Sequence, residues 1–108
     1  MRIGSLHAYG QELDIHTDSY RNKRLALHFL QPDEGWAYGV LTVNIPEASI
    51  GPDEILVKTW SENEPFREPA LATGLFRDTG RRVPTGYVMA EVWQLTPRAL
   101  ALVGGRAG

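Results

Sequence analysis

The stretch Tyr-Val-Met-Ala-Glu-Val-Trp-Gln-Leu, residues 87–95, decides the fold of this chain. It is rich in β-branched and aromatic residues, which favour strands. Its apolar side chains fall on both faces of a strand: Tyr87, Met89, Trp93 and Leu95 on one, and Val88, Ala90 and Val92 on the other. A strand that is apolar on both faces is covered on both, so we predict that this segment is the central strand of a sheet.

Earlier segments predict further strands, joined by turns typical of antiparallel pairing. These strands are predicted at residues 3–8, 11–18, 24–30, 36–43 and 54–60. Several of them alternate between apolar and polar side chains, as half-buried strands do. Pro32 and Gly35 supply the turn chemistry between the third and fourth segments. Residues 24–30 and 36–43 should therefore form an antiparallel hairpin.

Helical structure is predicted between residues 61 and 73, where prolines divide it. Ser61 and Glu64 have the spacing of a capping box, which predicts a helical turn over residues 61–67. Proline inside a helix removes a hydrogen bond and clashes with the preceding turn. We therefore expect Pro69 to begin a separate short helix over residues 69–73.

The end of the chain completes the predicted fold. Thr96-Pro97 is a helix-start signature, and one or two helical turns are expected over residues 98–103. A length of 108 residues fits one domain, which we place at residues 1–103, with a frayed tail at residues 104–108. The predicted fold class is α+β: a single, mostly antiparallel sheet of about four to six strands, with one or two short helices packed on one face.

Composition and charge exclude several classes of protein. The chain has no cysteine, which excludes a disulfide framework, a thiolate zinc site and a cysteine nucleophile. No segment approaches the roughly 18 apolar residues of a membrane span, and no apolar signal segment is seen, so a cytoplasmic location is expected. A net charge of −2 argues against a protein devoted to phosphate contacts with nucleic acid. The charge is uneven, since residues 31–68 hold eight acidic and two basic side chains.

The histidines and tryptophans suggest structural roles. His7, His16 and His28 lack the spacing of metal ligands, so no metal and no cofactor is expected. The three tryptophans, Trp36, Trp60 and Trp93, all fall on predicted strands. Because tryptophan buries a large area, we expect them in the core or at its edge. Two tryptophans exposed together would instead mark a partner surface.

The tripeptide Asp78-Thr79-Gly80 matches the active-site motif of aspartic proteases. In that chemistry two carboxylates share one proton. The neighbouring arginines would instead hold the aspartate ionised. We therefore interpret the tripeptide as a turn whose geometry Asp78 and Gly80 set, and the glycines and proline of residues 79–86 as a loop.

Basic side chains occur in two predicted loops. One loop carries Arg21, Lys23 and Arg24, and the other carries Arg77, Arg81 and Arg82. If the loops meet in space, they could clamp a phosphate or an acidic partner. The alternative is that they serve solubility and pair with nearby acids.

Two segments are distinctive beyond their strand pattern: Lys-Thr-Trp-Ser-Glu-Asn-Glu at residues 58–64 and Asp-Thr-Gly-Arg-Arg-Val-Pro-Thr-Gly at residues 78–86. With shorter matches at residues 22–27, 41–46 and 74–76, they resemble a family of small bacterial proteins of unknown function. That family is carried on conjugative plasmids, integrative elements and phages, and the resemblance covers most of residues 20–95. It implies no catalytic residue. It implies an accessory protein of a mobile element, of a kind that often acts by binding, for instance as an inhibitor of CRISPR or restriction machinery.

The sequence leaves three functional hypotheses. The first is a non-enzymatic protein-binding protein of a mobile element, acting on a host-defence system, with a partner-binding patch of Trp60, Glu62, Glu64, Arg81 and Arg82. The second is a nucleic-acid-associated regulator that uses the basic loops. The third is a cryptic enzyme on a small polar substrate, with Asp78, Glu91 or a histidine as acid or base.

Overall fold

The strands and helices lie within residues 1–33 and 35–104, which a computed structural model of the chain describes. Within these residues the chain forms seven strands, one 3₁₀ helix and two α-helices. The strands are β1 (Arg2–Ala8), β2 (Gln11–Ser19), β3 (Leu25–Leu30), β4 (Ala37–Val40), β5 (Glu54–Val57), β6 (Phe76–Thr85) and β7 (Val88–Leu95). The 3₁₀ helix spans Ser61–Phe66, α1 spans Arg67–Ala72 and α2 spans Pro97–Leu102. The α+β class predicted from the sequence is confirmed.

The first sheet has the strand order β1-β2-β3-β4, and its neighbouring strands are antiparallel. The hairpin predicted for residues 24–30 and 36–43 is present as β3 and β4. Its second strand is shorter than predicted, because Thr42 already forms an isolated bridge with Val57 of β5. β4 is therefore a short strand at the edge of this sheet.

The second sheet has the strand order β5-β7-β6, so β7 is the central strand that the sequence predicts. The prediction of a loop at residues 79–86 is wrong, because β6 extends to Thr85 and includes most of these residues. A bulge between Asp78 and Arg82 admits Gly80, which has a φ of 85°. Pro84 is tolerated because an outer strand leaves one edge without a ladder partner. Glycine and proline thus occur inside a strand here.

The prediction of a single sheet is wrong, because the described strands divide into a sheet of four and a sheet of three. Alternation of apolar and polar residues indicates which side chains share a face. It does not indicate which strand lies next to which, because pairing depends on contacts far apart in the sequence.

The helices lie close to their predicted positions, but one predicted cap is wrong. Ser61 has a φ of 55° and belongs to the 3₁₀ helix, whose capping residue is Trp60 and which has no side-chain cap. The predicted start of α2 is confirmed, since the Thr96 hydroxyl accepts a hydrogen bond from the Ala99 N–H at 3.3 Å. The helical segment before β6 is divided as expected, but the prediction that Pro69 begins the second helix is wrong, because α1 begins at Arg67 and Pro69 lies in its first turn, where its missing N–H is tolerated.

A hydrophobic core joins both sheets and both α-helices. Its largest fully buried side chains are Trp93 of β7, Phe29 of β3 and Phe66 of the 3₁₀ helix. A smaller cluster lies on the other face of the second sheet, where Trp60 packs beside Leu56 and Val92. The buried ring of Phe66 packs against Tyr9 and Tyr38, whose rings are partly exposed.

Two further expectations concern the membrane and the end of the chain. None of the helices in the described residues is long and apolar enough to cross a membrane. Of the predicted tail, Gly104 follows α2, and residues 105–108 lie outside the described part of the chain.

Candidate functional site

The candidate site is a groove of about 600 Å³ between β4 and the 3₁₀ helix, which we call the aromatic groove. Its apolar wall is formed by Tyr9, Tyr38 and Phe66, and its polar wall includes Lys58, Glu62 and Asn63. Gly39, Val40, Thr42 and Val43 complete the lining. The groove therefore combines aromatic rings, a strand edge and an ion pair.

The rings of the aromatic groove form a column that rises from the core to the surface. Phe29 and Phe66 are buried, and their ring centroids are 4.3 Å apart. The Phe66 ring lies 5.4 Å from that of Tyr9 and 6.3 Å from that of Tyr38. The two tyrosines are 5.8 Å apart and are 48% and 37% exposed. The exposed rings are thus held in place by buried ones.

Tyr9 occupies a strained backbone position. With Gly10 it forms the two-residue turn between β1 and β2, and their φ values are 54° and 73°. Positive φ at both positions is typical of a type I′ turn, in which asparagine, aspartate or glycine is usual. A residue with a Cβ atom costs roughly 1–2 kcal/mol in this region. Strain of this kind is concentrated at functional sites in proteins.

The polar wall is held together by hydrogen bonds across the groove. Asn63 is 2% exposed, and its amide donates to the Val40 carbonyl at 2.6 Å and to the Lys58 carbonyl at 3.2 Å. Lys58 Nζ lies 2.6 Å from Glu62 Oε1, and this hydrogen bond lowers the pKa of Glu62. The Tyr9 hydroxyl donates to the Glu62 carbonyl and joins the two walls.

Trp36 lies at the start of β4 and is 65% exposed, so the expectation that it belongs to the core is wrong. Trp60 is half-buried on the smaller cluster, and Trp93 is fully buried, as expected.

The patch predicted from the sequence is divided by the structure. Glu62 lines the groove, and Glu64 is exposed on the same 3₁₀ helix. Trp60 faces the smaller cluster, with Lys58 Nζ 6.0 Å from its ring. Arg81 binds Glu54 at 2.9 Å and Arg82 binds Asp78 at 2.9 Å. The two arginines bind carboxylates on opposite faces of the second sheet, because Glu54 pairs with Gln94 and Asp78 pairs with Trp93, the preceding residue of β7.

Four charged side chains form a closed cluster at the second sheet, which we call the ion-pair network: Arg67, Asp78, Arg82 and Glu91. Arg67 Nε lies 3.0 Å from Glu91 Oε2, and its Nη2 lies 2.8 Å from Asp78 Oδ2. Arg82 reaches Asp78 at 2.9 Å and Glu91 at 3.7 Å. Trp93 Nε1 also donates to Glu91 at 3.0 Å. Each member therefore has at least two partners.

The electrostatics of the ion-pair network keep its carboxylates ionised. Hydrogen bonds from Arg82 lower the pKa of Asp78. Burial opposes ionisation of Glu91, but hydrogen bonds from Arg67 and Trp93 outweigh it, so the pKa of Glu91 is lowered. Hydrogen bonding to Glu91 raises the pKa of Arg67. Neither carboxylate is set up to hold or exchange a proton near neutral pH.

The two predicted basic loops do not form a phosphate clamp in this structure. Arg24 donates to the carbonyls of Ile45 and Ala48, and Arg81 donates to the Ser49 carbonyl at 2.9 Å. Arg24 directly precedes β3 and Arg81 lies in β6, so the two arginines connect the segment between β4 and β5 to both sheets. Among the described residues, no group of three or more His, Cys, Asp or Glu side chains could hold a metal ion.

Sequence reasoning missed the side chains that build the aromatic groove. Tyr9, Tyr38 and Asn63 belong to different elements, and only the fold brings them together. One signal was present, because Tyr9-Gly10 stands between two alternating segments where Asn-Gly would be usual. An aromatic residue in a turn that prefers asparagine suggests a function for its ring.

The geometry of the chain is the basis for its interpretation. Comparison of the sequence and structure with protein-family models, curated proteins and solved structures gives no match.

Proposed function

We propose that this chain is a non-enzymatic protein-binding module that holds its partner in the aromatic groove. The observation that carries this proposal is the pair of half-exposed tyrosines, Tyr9 and Tyr38, packed on the buried ring of Phe66. Large aromatic side chains that are already ordered lose little conformational entropy on binding, and they are frequent anchors of protein interfaces. Trp36, two residues before Tyr38 in the sequence, is also exposed.

The ion-pair network supports binding rather than catalysis. Asp78 and Glu91 were two of the candidate acids and bases, beside the histidines, and both are tied to arginines that favour their charged forms. An acid–base catalyst instead needs a pKa close to the working pH. Arg24 and Arg81 are bound to backbone carbonyls, so they offer little to nucleic-acid phosphates.

The resemblance of residues 20–95 to mobile-element proteins supports a specific class of partner. We propose that the partner is a component of a bacterial host-defence system, such as a CRISPR or restriction complex. In cells that carry such a system, the chain is expected to raise survival of a targeted plasmid, and Tyr38→Ala is expected to remove this effect. Equal plasmid survival with and without the chain, across the defence systems tested, would contradict this setting.

Affinity capture from bacterial lysate with three forms of the chain tests the proposal. The wild type and Tyr87→Ala are expected to retain a stoichiometric protein partner after nuclease treatment, whereas Tyr38→Ala is expected to lose it. Tyr87 is the matched control, because it is a fully exposed tyrosine in the β6–β7 turn and does not line the groove. A partner retained equally by Tyr38→Ala would place the binding surface elsewhere. Thermal unfolding of each variant establishes that it is folded.

A further inference from the structure

We infer that the aromatic groove binds an extended, proline-containing segment of the partner that carries an arginine or a lysine. This inference rests on the proposed function and specifies the chemistry of what the groove holds. Three features carry it: the spacing of the rings in the groove, the shortness of its strand edge and the charge of the 3₁₀ helix beside it.

The spacing of the rings fits a polyproline II helix. Residues i and i+2 of such a helix are about 6 Å apart along its axis. The ring centroids of Tyr9 and Tyr38 are 5.8 Å apart, and both rings are partly exposed. Two prolines of one segment can therefore each pack on one tyrosine. Aromatic-lined grooves that bind proline-rich segments use this mode, which benefits from the low entropy of a preformed polyproline helix.

The state of the strand edge disfavours binding by addition of a β-strand. The Leu41 N–H donates to the Leu27 carbonyl at 2.9 Å, so the alternation of the antiparallel ladder points the polar groups of Val40 away from β3. The Val40 carbonyl is already bound by Asn63 at 2.6 Å, and β4 has only four residues. A partner strand could therefore form only a short ladder along β4, with the Val40 carbonyl already engaged.

The Tyr38 hydroxyl offers a donor that suits a polyproline segment. It makes no hydrogen bond within residues 1–33 and 35–104. A polyproline chain has no internal hydrogen bonds, and its proline carbonyls can only accept. The Tyr38 O–H can donate to such a carbonyl in place of a water molecule. This single hydrogen bond does not need the repeated backbone pairing of a β-strand.

The 3₁₀ helix beside the groove carries surplus negative charge, although the paired Lys58 and Glu62 of the lining balance each other. Lys58 is paired with Glu62, whose side chain is 66% exposed. Glu64 is exposed on the same helix and makes no ion pair with any described residue. One basic side chain in the bound segment would balance this charge, and arginine could bind a carboxylate through two hydrogen bonds. The hydrogen bond from Lys58 keeps Glu62 ionised at neutral pH.

Three synthetic peptides of ten residues test the inference by nuclear magnetic resonance titration. The first has eight prolines and two arginines, the second replaces the arginines by glutamates, and the third alternates threonine and valine with the same two arginines. The arginine–proline peptide is expected to shift the signals of Tyr9, Tyr38 and Asn63. It should bind at least about tenfold more tightly than the glutamate peptide at low salt. Tighter binding of the threonine–valine peptide would overturn the inference in favour of strand addition.

Variants separate this inference from the proposed function. Tyr38→Ala should weaken the arginine–proline peptide about tenfold or more, while Tyr87→Ala should not. The double variant Glu62→Gln with Glu64→Gln should remove the preference for arginine over glutamate and leave proline binding in place. If no proline peptide binds but capture of the protein partner still depends on Tyr38, the ligand class is wrong and the proposed function stands. If partner capture is also independent of Tyr38, both are wrong.

Discussion

The ion-pair network and the aromatic groove differ in how completely the chain satisfies its own side chains. In the network, Arg67, Asp78, Arg82 and Glu91 bind one another, and Glu91 is 8% exposed. In the groove, Tyr9 and Tyr38 are partly exposed, the Tyr38 hydroxyl makes no hydrogen bond within residues 1–33 and 35–104, and the turn at Tyr9 is strained. The side chains of the network are already bonded to one another, whereas the tyrosines of the groove can still contact a ligand.

This difference shows that charge is a poor guide to the site in this protein. Arg24, Arg81 and Arg82, which were singled out in the sequence, bind partners within the fold and connect strands and loops. Trp36, which was expected in the core or at its edge, is exposed. A side chain's own partners, rather than its type, therefore decide whether it is free to bind.

The largest effect on stability is expected from Arg67→Ala. This change removes both contacts of the guanidinium with Glu91 and the contact with Asp78, and it leaves Glu91 buried with a weaker ionic partner in Arg82 at 3.7 Å. Removing one partner of a buried ion pair costs about 3 kcal/mol. The free energy of unfolding, measured by urea denaturation, should fall by this amount. Peptide binding by the folded fraction should persist, because Arg67 does not line the groove.

Arg77→Ala provides the matched control for this experiment. Arg77 is exposed, lies on β6 near the network and contacts Gln94. Exposed substitutions usually change stability by less than about 0.5 kcal/mol. If the two alanine variants unfold at the same urea concentration, the ion-pair network does not stabilise the fold as its contacts suggest.

Acid should weaken the ion-pair network more gradually than the deletion does. The pKa values of Glu91 and Asp78 are lowered from 4.5 and 3.8 in the folded chain, so the unfolded chain binds more protons as the pH falls. The stabilisation is therefore complete above the unfolded pKa values and is lost as the pH falls through the folded ones. Urea midpoints should stay level near neutral pH and fall below a pH of about 4.5.

Glu91→Gln tests whether the network causes this acid sensitivity. The variant lacks one of the two shifted carboxylates, so its stability should depend less on pH below the same value. An unchanged slope in Glu91→Gln would assign the acid sensitivity to other carboxylates. In either case the groove has no part in the effect, since Glu62 is exposed and its pairing with Lys58 contributes little to stability.

The parts of the fold predicted correctly are those that depend on neighbours in the sequence. The central strand, predicted at residues 87–95, and the hairpin of β3 and β4 follow from the pattern of apolar residues and from the turn residues. Thr96 and Pro97 define the start of α2 through hydrogen bonding and backbone geometry within one turn. The division into two sheets was not predicted, because it depends on which distant strands pair.

The candidate site was predicted only in part, for the same physical reason. Glu62 and Glu64 were singled out, and Glu62 lines the groove. Arg81 and Arg82 are adjacent in the sequence, but they bind Glu54 and Asp78 on opposite faces of the second sheet. Tyr9 and Tyr38 come from separate hairpins and meet over Phe66 only in the folded chain. Proximity in sequence and proximity in space therefore differ most at this site.

The smallest difference in stability between two compared variants is expected between two substitutions at Tyr9. Tyr9→Asn and Tyr9→Ala both remove the ring contacts with Phe66 and Tyr38 and the hydrogen bond to Glu62. Asparagine tolerates the left-handed conformation of this turn, whereas alanine bears its cost, so the asparagine variant should be more stable by about 1 kcal/mol. Both variants should bind the arginine–proline peptide about tenfold less tightly than the wild type. Urea denaturation measures the first difference and peptide titration the second. Equal stability of the two variants would mean that the turn stores no strain, while wild-type peptide affinity in Tyr9→Asn would mean that the strained ring does not serve the groove.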